Sequence, residues 1–373
     1  MKILYVSHHQ EATGWGQVAR DNILALDSVG VQVVPRAIRL GSPVAELPPR
    51  IEELQRQKAK GCDIVIQHVL PHYMKYDSRF RKNIGIFELE TQNINLTSWA
   101  AHLNLMDELW VPCGSMIKDC KNSGINTETI CVPHTFDTSV YNKEYPKLTL
   151  PVQDRFSFYF IGEMNQRKHL SALIQAFHIE FQPQEPVVLV IKVNKFGMSA
   201  EALAQELQNF CSSIKEGLKL YRDPRRYKPE IIVTITVSRE DILRLHNTCD
   251  CFVMPSYGEA WGIPAFEAMA MGNLVIASAT GGMLDYINPE TTGFLVSGSM
   301  EPVFGQKETF PDFGTSREKW FNISISQLMK TMRRVYEMDK DQKVIVGDQA
   351  RASAKLYDYA IIGEKMKGLL NNV

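Results

Sequence analysis

CDCFVMPSYGEAWGIPAFEAMAMGNLVIAS, residues 249–278, reads as one unit of a parallel sheet. The apolar run CDCFVMP (249–255) predicts a strand covered on both faces, the stretch 260–271 predicts a helix, and LVIAS (274–278) predicts the next strand. Pro264 suits the first turn of that helix, which leaves the amides of residues 260–263 pointing out at the carboxyl end of the strand. Glu259 then stands before the helix and Glu267 about one turn inside it. No other charged residue occurs between 256 and 272, so an ordinary solvated helix face does not account for the pair. In open α/β sheets ligands sit beyond the carboxyl ends of the strands, which is where Glu259 falls.

The same alternation extends outward in both directions. Toward the N-terminus, strands are predicted at 2–7, 31–35, 63–67, 83–88, 108–112 and 129–133, with helices over 16–28, 49–60, 95–106 and 113–123. Asn95, Leu96 and Thr97 read as a capped start of the third of these helices. The polar segment NKEYPKLTLPVQDR (142–155) breaks the pattern with two prolines. It then restarts, with strands at 156–162, 187–193, 231–236, 249–255, 274–278 and 293–296 and helices over 168–181, 199–217, 239–248 and 260–271. Residues 297–315, rich in Gly, Pro and Ser, read as a long loop. Strand and helix in alternation imply an α/β protein of two doubly wound, Rossmann-like domains joined near 142–155. The strand ends of two such domains are expected to face across an interdomain cleft.

Composition narrows the function. The 373 residues carry 41 basic and 42 acidic side chains, a net charge of -1, which argues against a nucleic-acid binder. Arg222, Arg225, Arg226 and Lys228, interleaved with Tyr221 and Tyr227, read as a surface loop; contact with RNA or, as peripheral membrane contact, with anionic lipid is the alternative. Seven cysteines without a CxxC pair suggest free thiols in a reducing compartment. The opening MKILYVSHH is a first strand rather than a signal peptide, and no run reaches the ~18 apolar residues of a membrane span, so a cytoplasmic location is expected. Asp339, Lys340 and Asp341 spell a DxD metal motif, but they lie in the polar stretch YEMDKDQK and read as a solvated turn. No metal site is expected.

HHQEATGWGQVA (8–19) follows the first strand and contains Gly14-x-Gly16-x-x-Ala19, a loose dinucleotide fingerprint. Arg36 stands where a 2′-phosphate reader would. Six residues separate the strand end from Gly14, more than that fingerprint allows. Three readings stay open: NADP binding, a plain glycine-rich turn, and phosphate or sugar contact at a helix start.

Taken together, GEAWGIPAFEAMAMG (258–272), LRLHNTCDCFVMPS before it and NLVIASATGGMLDYI and TTGFLV after it resemble the signature of family-4 retaining glycosyltransferases of the GT-B fold (glycosyl transferases group 1). VPHTFDTSVY (132–141) and IGEMNQRKHLSALIQAF (161–177) resemble its interdomain segment and first C-domain turn. The resemblance implies that Glu267 accepts the donor ribose hydroxyls and that Glu259 lies beside the transferred sugar, with the amides of Ala260, Trp261 and Gly262 nearby. It implies that Arg167 and Lys168 hold the diphosphate, in keeping with cations at a helix start where only an anion makes them welcome. It also places Gly14 and Gly16 beside the sugar phosphate, and Lys192 toward the base or diphosphate. Where the family often has a His after the fourth N-domain strand, this chain reads NIGIFELET, with Glu88 and Glu90. His68 and His72 are substitutes for it on the acceptor side, and His8 and His9 have the same standing.

The resulting expectation is a metal-independent retaining transferase that needs no cofactor. It moves a hexose or N-acetylhexosamine from a UDP- or GDP-sugar to an acceptor hydroxyl. Residues 1–148, with a crossover helix at 356–373, would bind the acceptor, and 149–355 the nucleotide sugar. A sugar-nucleotide epimerase, a phosphorylase, a non-catalytic nucleotide-sugar-binding protein and an NADP-linked reductase are the alternatives.

Overall fold

The computed structural model describes residues 1–94, 97–152, 154–304 and 316–371. The chain separates into two compact units. One holds Met1–Val140, a short stretch ending at Lys319, and the C-terminal segment from Lys355; the other holds the chain from Tyr141 together with Trp320–Ala354.

In the first unit six strands form one parallel sheet: β1 (Lys2–Ser7), β2 (Gln32–Ala37), β3 (Ile64–His68), β4 (Lys82–Ile86), β5 (Glu108–Val111) and β6 (Thr129–Cys131). Helices α1 (Gly14–Ser28), α2 (Pro49–Gln55), α3 (Trp99–Leu103) and α4 (Gly114–Asn122) alternate with them. Every residue of β3 and β5 is buried, as strands covered on both faces must be. The strand order is β2-β1-β3-β4-β5-β6, so the winding reverses between β1 and β3.

The second unit repeats the plan with β7 (Phe156–Glu163), β8 (Val187–Asn194), β9 (Ile231–Val233), β10 (Cys251–Met254), β11 (Leu274–Ser278) and β12 (Phe294–Val296). Its order is β12-β11-β10-β7-β8-β9, and here the winding reverses between β7 and β10. Helices α5 (Leu170–Glu180), α6 (Ala200–Leu218), α7 (Arg239–Thr248), α8 (Ile263–Ala270) and α9 (Met283–Tyr286) connect the strands. A two-stranded sheet of β13 (Gly298–Pro302) and β14 (Lys319–Ile323) follows, then α10 (Ile325–Glu337) and α11 (Lys340–Ala354). The last helix, α12 (Tyr359–Asn371), belongs to the first unit, where Ile362, Met366 and Leu370 join the core of β1 and α1. Among the described residues no helix is long and apolar enough to cross a membrane.

The segment 142–155, where the pattern breaks in sequence, is held along α7: Leu148 N donates to Thr248 Oγ1 at 2.8 Å and Arg244 Nε to the Pro146 carbonyl at 3.2 Å. The stretch 297–315 is not one loop, since residues 298–302 pair with 319–323; residues 305–315 lie outside the described residues. The helix expected over 95–106 is confined to Trp99–Leu103, and the proposed cap at Asn95 and Leu96 also lies outside the described residues. Asp339 is a helix-start residue rather than part of a free polar turn, its Oδ1 accepting from Gln342 N at 2.7 Å just ahead of α11.

Candidate functional site

The reversal between β7 and β10 brings two loops side by side. After β7, the Asn165 side chain caps a single 3-10 turn, accepting from Lys168 N at 3.1 Å, and His169 adopts a left-handed conformation (φ 48°) that turns the chain into α5. After β10, the loop to α8 is pinned to the first one: Tyr257 N donates to the Arg167 carbonyl at 2.8 Å. Arg167 Nη1 donates to the Gly258 carbonyl at 2.7 Å and lies 3.0 Å from Glu259 Oε1. Lys168 Nζ lies 2.6 Å from the same oxygen. Burial works against ionising Glu259, but the charges of Lys168 and Arg167 outweigh it and hold the carboxyl down at about 2. Two cations on one buried carboxylate leave a surplus of positive charge for an incoming anion.

Gly262 caps α8 in the left-handed region (φ 88°), where a Cβ would press on Met254 and Met283 at 3.0 Å. Ala260 is buried and the Trp261 ring packs against Tyr286 and Phe266, with centroids 5.0 and 5.9 Å away, so Trp261 contributes backbone rather than ring to this loop. Glu267, the fifth residue of α8, is 3% exposed. Its Oε1 is ion-paired with Arg239 at the start of α7, and its Oε2 is 3.7 Å from His246 Nε2. His246 Nδ1 in turn is 2.7 Å from Tyr159 OH. Burial opposes the charge on Glu267, and Arg239 and His246 restore it, so the pKa is lowered. Lys192, near the end of β8, is buried with Nζ donating to the Val193 carbonyl at 3.1 Å, and burial lowers its pKa.

Sequence reasoning missed several parts of this arrangement. Arg239 gave no signal because it opens a polar, half-exposed helix, and His246 sits on a buried helix face like any apolar residue. The Gly281-Gly282 pair was a usable signal. A Cβ on Gly281 would lie 1.8 Å from the Glu259 carbonyl oxygen, and one on Gly282 would lie 2.6 Å from Trp261 Cα, so only bare backbone lets the two loops touch.

In the first unit the remaining candidates divide. At the β1/β3 reversal a small cleft is lined by His8, Trp15, His68, Glu88 and neighbouring apolar residues. Glu88 Oε1 is 2.9 Å from His68 Nε2 and 3.5 Å from His134 Nε2, and His68 Nδ1 is 3.0 Å from Tyr5 OH. Burial opposes ionisation of Glu88, yet the two imidazoles hold it well below the usual carboxylate range. His72 instead accepts from Trp99 Nε1 at 3.1 Å, and neither it nor the half-buried Glu90 lines this cleft. His9 bonds Ser7 Oγ at 2.9 Å and Gln55 at 3.2 Å. Gly14 is the exposed first residue of α1, whereas Gly16 is buried, and a Cβ there would fall 2.0 Å from the Glu11 carbonyl oxygen. The bareness of Gly16 is thus explained by its own loop. Arg36 donates to the carbonyls of Pro35, Gln55 and Gln57, leaving little for a 2′-phosphate.

Comparison with known proteins bears on the fold and on the second unit. Residues 142–302 match the family described as Glycosyl transferases group 1. A D-inositol 3-phosphate glycosyltransferase from Xylanimonas cellulosilytica is 25% identical over 175 residues, 47% of this chain and 38% of the relative. One from Mycobacterium sp. (strain KMS) is 43% identical over 61 residues, 16% of this chain and 14% of the relative. The chain therefore spans well under half the length of these curated relatives. Among solved structures, sucrose-phosphate synthase from Thermosynechococcus elongatus superposes with a TM-score of 0.69 at 18% identity, covering 100% of this chain and 98% of the other. Anabaena HepE in complex with UDP and glucose gives 0.66 at 17% identity, covering 100% of both chains. The chain has the GT-B fold, and residues 142–302, all within its second unit, are similar to the family described as Glycosyl transferases group 1.

Proposed function

We propose that the protein is a cytoplasmic retaining glycosyltransferase that moves a hexose or N-acetylhexosamine from a UDP- or GDP-sugar to an acceptor hydroxyl, without a metal ion or cofactor. Residues 149–355 bind the nucleotide sugar, and residues 1–148 with 356–373 bind the acceptor. The observation that carries the reading is the convergence of Arg167, Lys168 and Glu259 where the second sheet reverses, the place at which open α/β sheets bind ligands. The bound UDP and glucose of HepE, a protein of the same fold, support it.

Breaking the bond from the sugar to the diphosphate puts negative charge on the leaving phosphate. Arg167, Lys168 and the amides of Ala260, Trp261 and Gly262 ahead of α8 stabilise that charge from fixed positions. Glu259 keeps the two cations extended and in place until the diphosphate arrives, and then faces the sugar. Glu267 accepts the ribose hydroxyls, which compete with Arg239 for the carboxylate. Lys192 adds charge toward the base or diphosphate. The acceptor hydroxyl attacks on the face the diphosphate leaves: its oxygen bonds the anomeric carbon as the bond to the diphosphate breaks, its proton passes to the departing phosphate oxygen, and the anomeric configuration is retained.

Incubating the full chain with a panel of UDP- and GDP-sugars and measuring the nucleoside diphosphate released tests this reading. Lys168→Ala is expected to lower release by about 100-fold or more, the effect of removing one fixed donor from a developing anion. Glu267→Ala is expected to weaken donor binding about tenfold by calorimetry, a loss of charge-assisted hydrogen bonds. Unchanged binding would remove Glu267 from the ribose.

A further inference from the structure

We propose that residues 219–228, between α6 and β9 of the second unit, form a docking surface for an anionic lipid membrane. The proposal is independent of the transferase reading, because none of these side chains belongs to the site at the β7/β10 reversal.

Charge is unevenly placed along this chain. Within ten residues Lys219, Arg222, Arg225, Arg226 and Lys228 are opposed by Asp223 alone, a net charge of +4. The whole chain carries -1, so all its other residues together carry -5. Clusters of this size are what draws a protein surface to acidic lipid headgroups. Glu216, exposed on the last turn of α6, adds one opposing charge and leaves the surface basic.

The loop is held in place from within. Tyr227 is buried, its hydroxyl accepting from Leu220 N at 3.0 Å and donating to the Lys215 carbonyl at 2.9 Å. Lys228 donates to the Pro183 carbonyl at 3.0 Å and to that of Glu185, so its charge is spent on the protein. The Glu230 side chain, also buried, lies 2.6 Å from both Lys215 Nζ and His178 Nε2. A loop fixed in this way loses little conformational freedom on docking.

Lys219, Arg222, Arg225 and Arg226 remain exposed. Arg225 is 3.0 Å from Asp223, but its side chain is 90% exposed, and a pair so solvated yields readily to a competing phosphate. Lys219 closes α6 in the left-handed region (φ 53°), so a cation stands where the backbone favours glycine. Leu220, 44% exposed between Lys219 and Tyr221, supplies an apolar group of the kind that settles among headgroups.

Cations alone would also suit RNA, but a single strand wants open aromatic faces as well. Tyr227 is buried, and Tyr221 has the Arg226 guanidinium 4.9 Å over its ring and the Tyr227 ring against it, with centroids 4.9 Å apart. Neither ring is a stacking platform. A lipid surface needs only the charge and the leucine, which favours the membrane.

Co-sedimentation of the full chain with vesicles tests the proposal. The arms are phosphatidylcholine alone, phosphatidylcholine with about one-third phosphatidylglycerol, and poly(U) RNA by filter binding. Binding to the anionic vesicles is expected to be about tenfold tighter than to neutral ones or better, and to fall away as salt is raised to about 1 M. Arg222→Gln and Arg226→Gln are each expected to weaken it about fivefold, the loss of one cation at an acidic surface. Lys219→Gly suits the left-handed turn and so keeps the fold, and it is expected to weaken binding by about the same factor. No binding to anionic vesicles, equal binding to neutral ones, wild-type binding by all three variants, or RNA bound more tightly than anionic vesicles overturns the proposal. Nucleoside diphosphate release, measured without lipid, is expected to be unchanged in these variants, and its absence with every donor sinks the transferase reading alone.

Discussion

Glu259 is ionised only because Lys168 and Arg167 stand against it, and that dependence is measurable. Its carboxyl is lowered from an ordinary 4.5 to about 2. A depressed folded-state pKa contributes stability above pH 4.5 that is lost as the pH falls toward 2. Denaturant titrations at pH 6 and pH 3 are therefore expected to show wild type losing more stability than Glu259→Gln over that interval. Lys168→Ala should cost about 3 kcal/mol at neutral pH, because it strips one partner from a buried charge. The charge census could not have located this triad, since 41 basic and 42 acidic residues average to nothing. What the sequence did expose was isolation, two glutamates alone in an apolar stretch, and two adjacent cations, which the structure puts in the 3-10 turn ahead of α5 rather than in the helix expected over 168–181.

At the scale of elements, close approach between loops decides the site. Gly281 has φ 58° with its Cβ position blocked by the Glu259 carbonyl, whereas Gly124 has φ 74° and open space around it. Gly124→Ala is expected to cost about 1 kcal/mol of backbone strain, while Gly281→Ala should cost several times that and impair donor binding. Thermal melts of the two variants make the comparison. The β13–β14 sheet, whose first strand the sequence reading placed in a loop, steadies the same loop. Phe321 N donates to the Tyr257 carbonyl at 2.7 Å, and Trp320 stacks on Tyr257 at 4.2 Å, with His169 at 3.9 Å on Tyr257 as well. Trp320→Ala is expected to cost about 3–5 kcal/mol. The polar composition of GSMEP (298–302) hid β13, and five residues of KWFNI (319–323) are too short a run to announce β14 without its partner.

Over the whole molecule, both units are doubly wound but with different orders, and each reversal lies beside a polar cluster: β1/β3 beside His8, His68 and Glu88, and β7/β10 beside Arg167, Lys168 and Glu259. The chain's last helix completes the first unit. Ile362, Met366 and Leu370 are buried there, and Gly363 sits so close to α1 that a Cβ would lie 2.5 Å from the Ala25 carbonyl oxygen. Deleting residues 359–371 removes three buried side chains worth about 2 kcal/mol each, a loss comparable to the stability of a whole domain. Limited proteolysis of the truncated chain is expected to degrade the first unit while sparing the second.

The sequence by itself determined the alternation of strands and helices that makes up both parallel sheets, the two-unit plan, and the placing of Glu259 after a strand and Glu267 inside the helix that follows it. Those follow from local causes: apolar runs of strand length, helix periodicity, and a proline at a helix start. Tertiary structure alone decided which strands adjoin, and with that everything about partnership. Lys168 meets Glu259 across 91 positions and His68 meets Glu88 across 20. Arg239, not any neighbour in sequence, occupies Glu267. Such pairings depend on strand order and on how closely two loops can approach, and these are set by packing of the complete sheets rather than by any local run of residues.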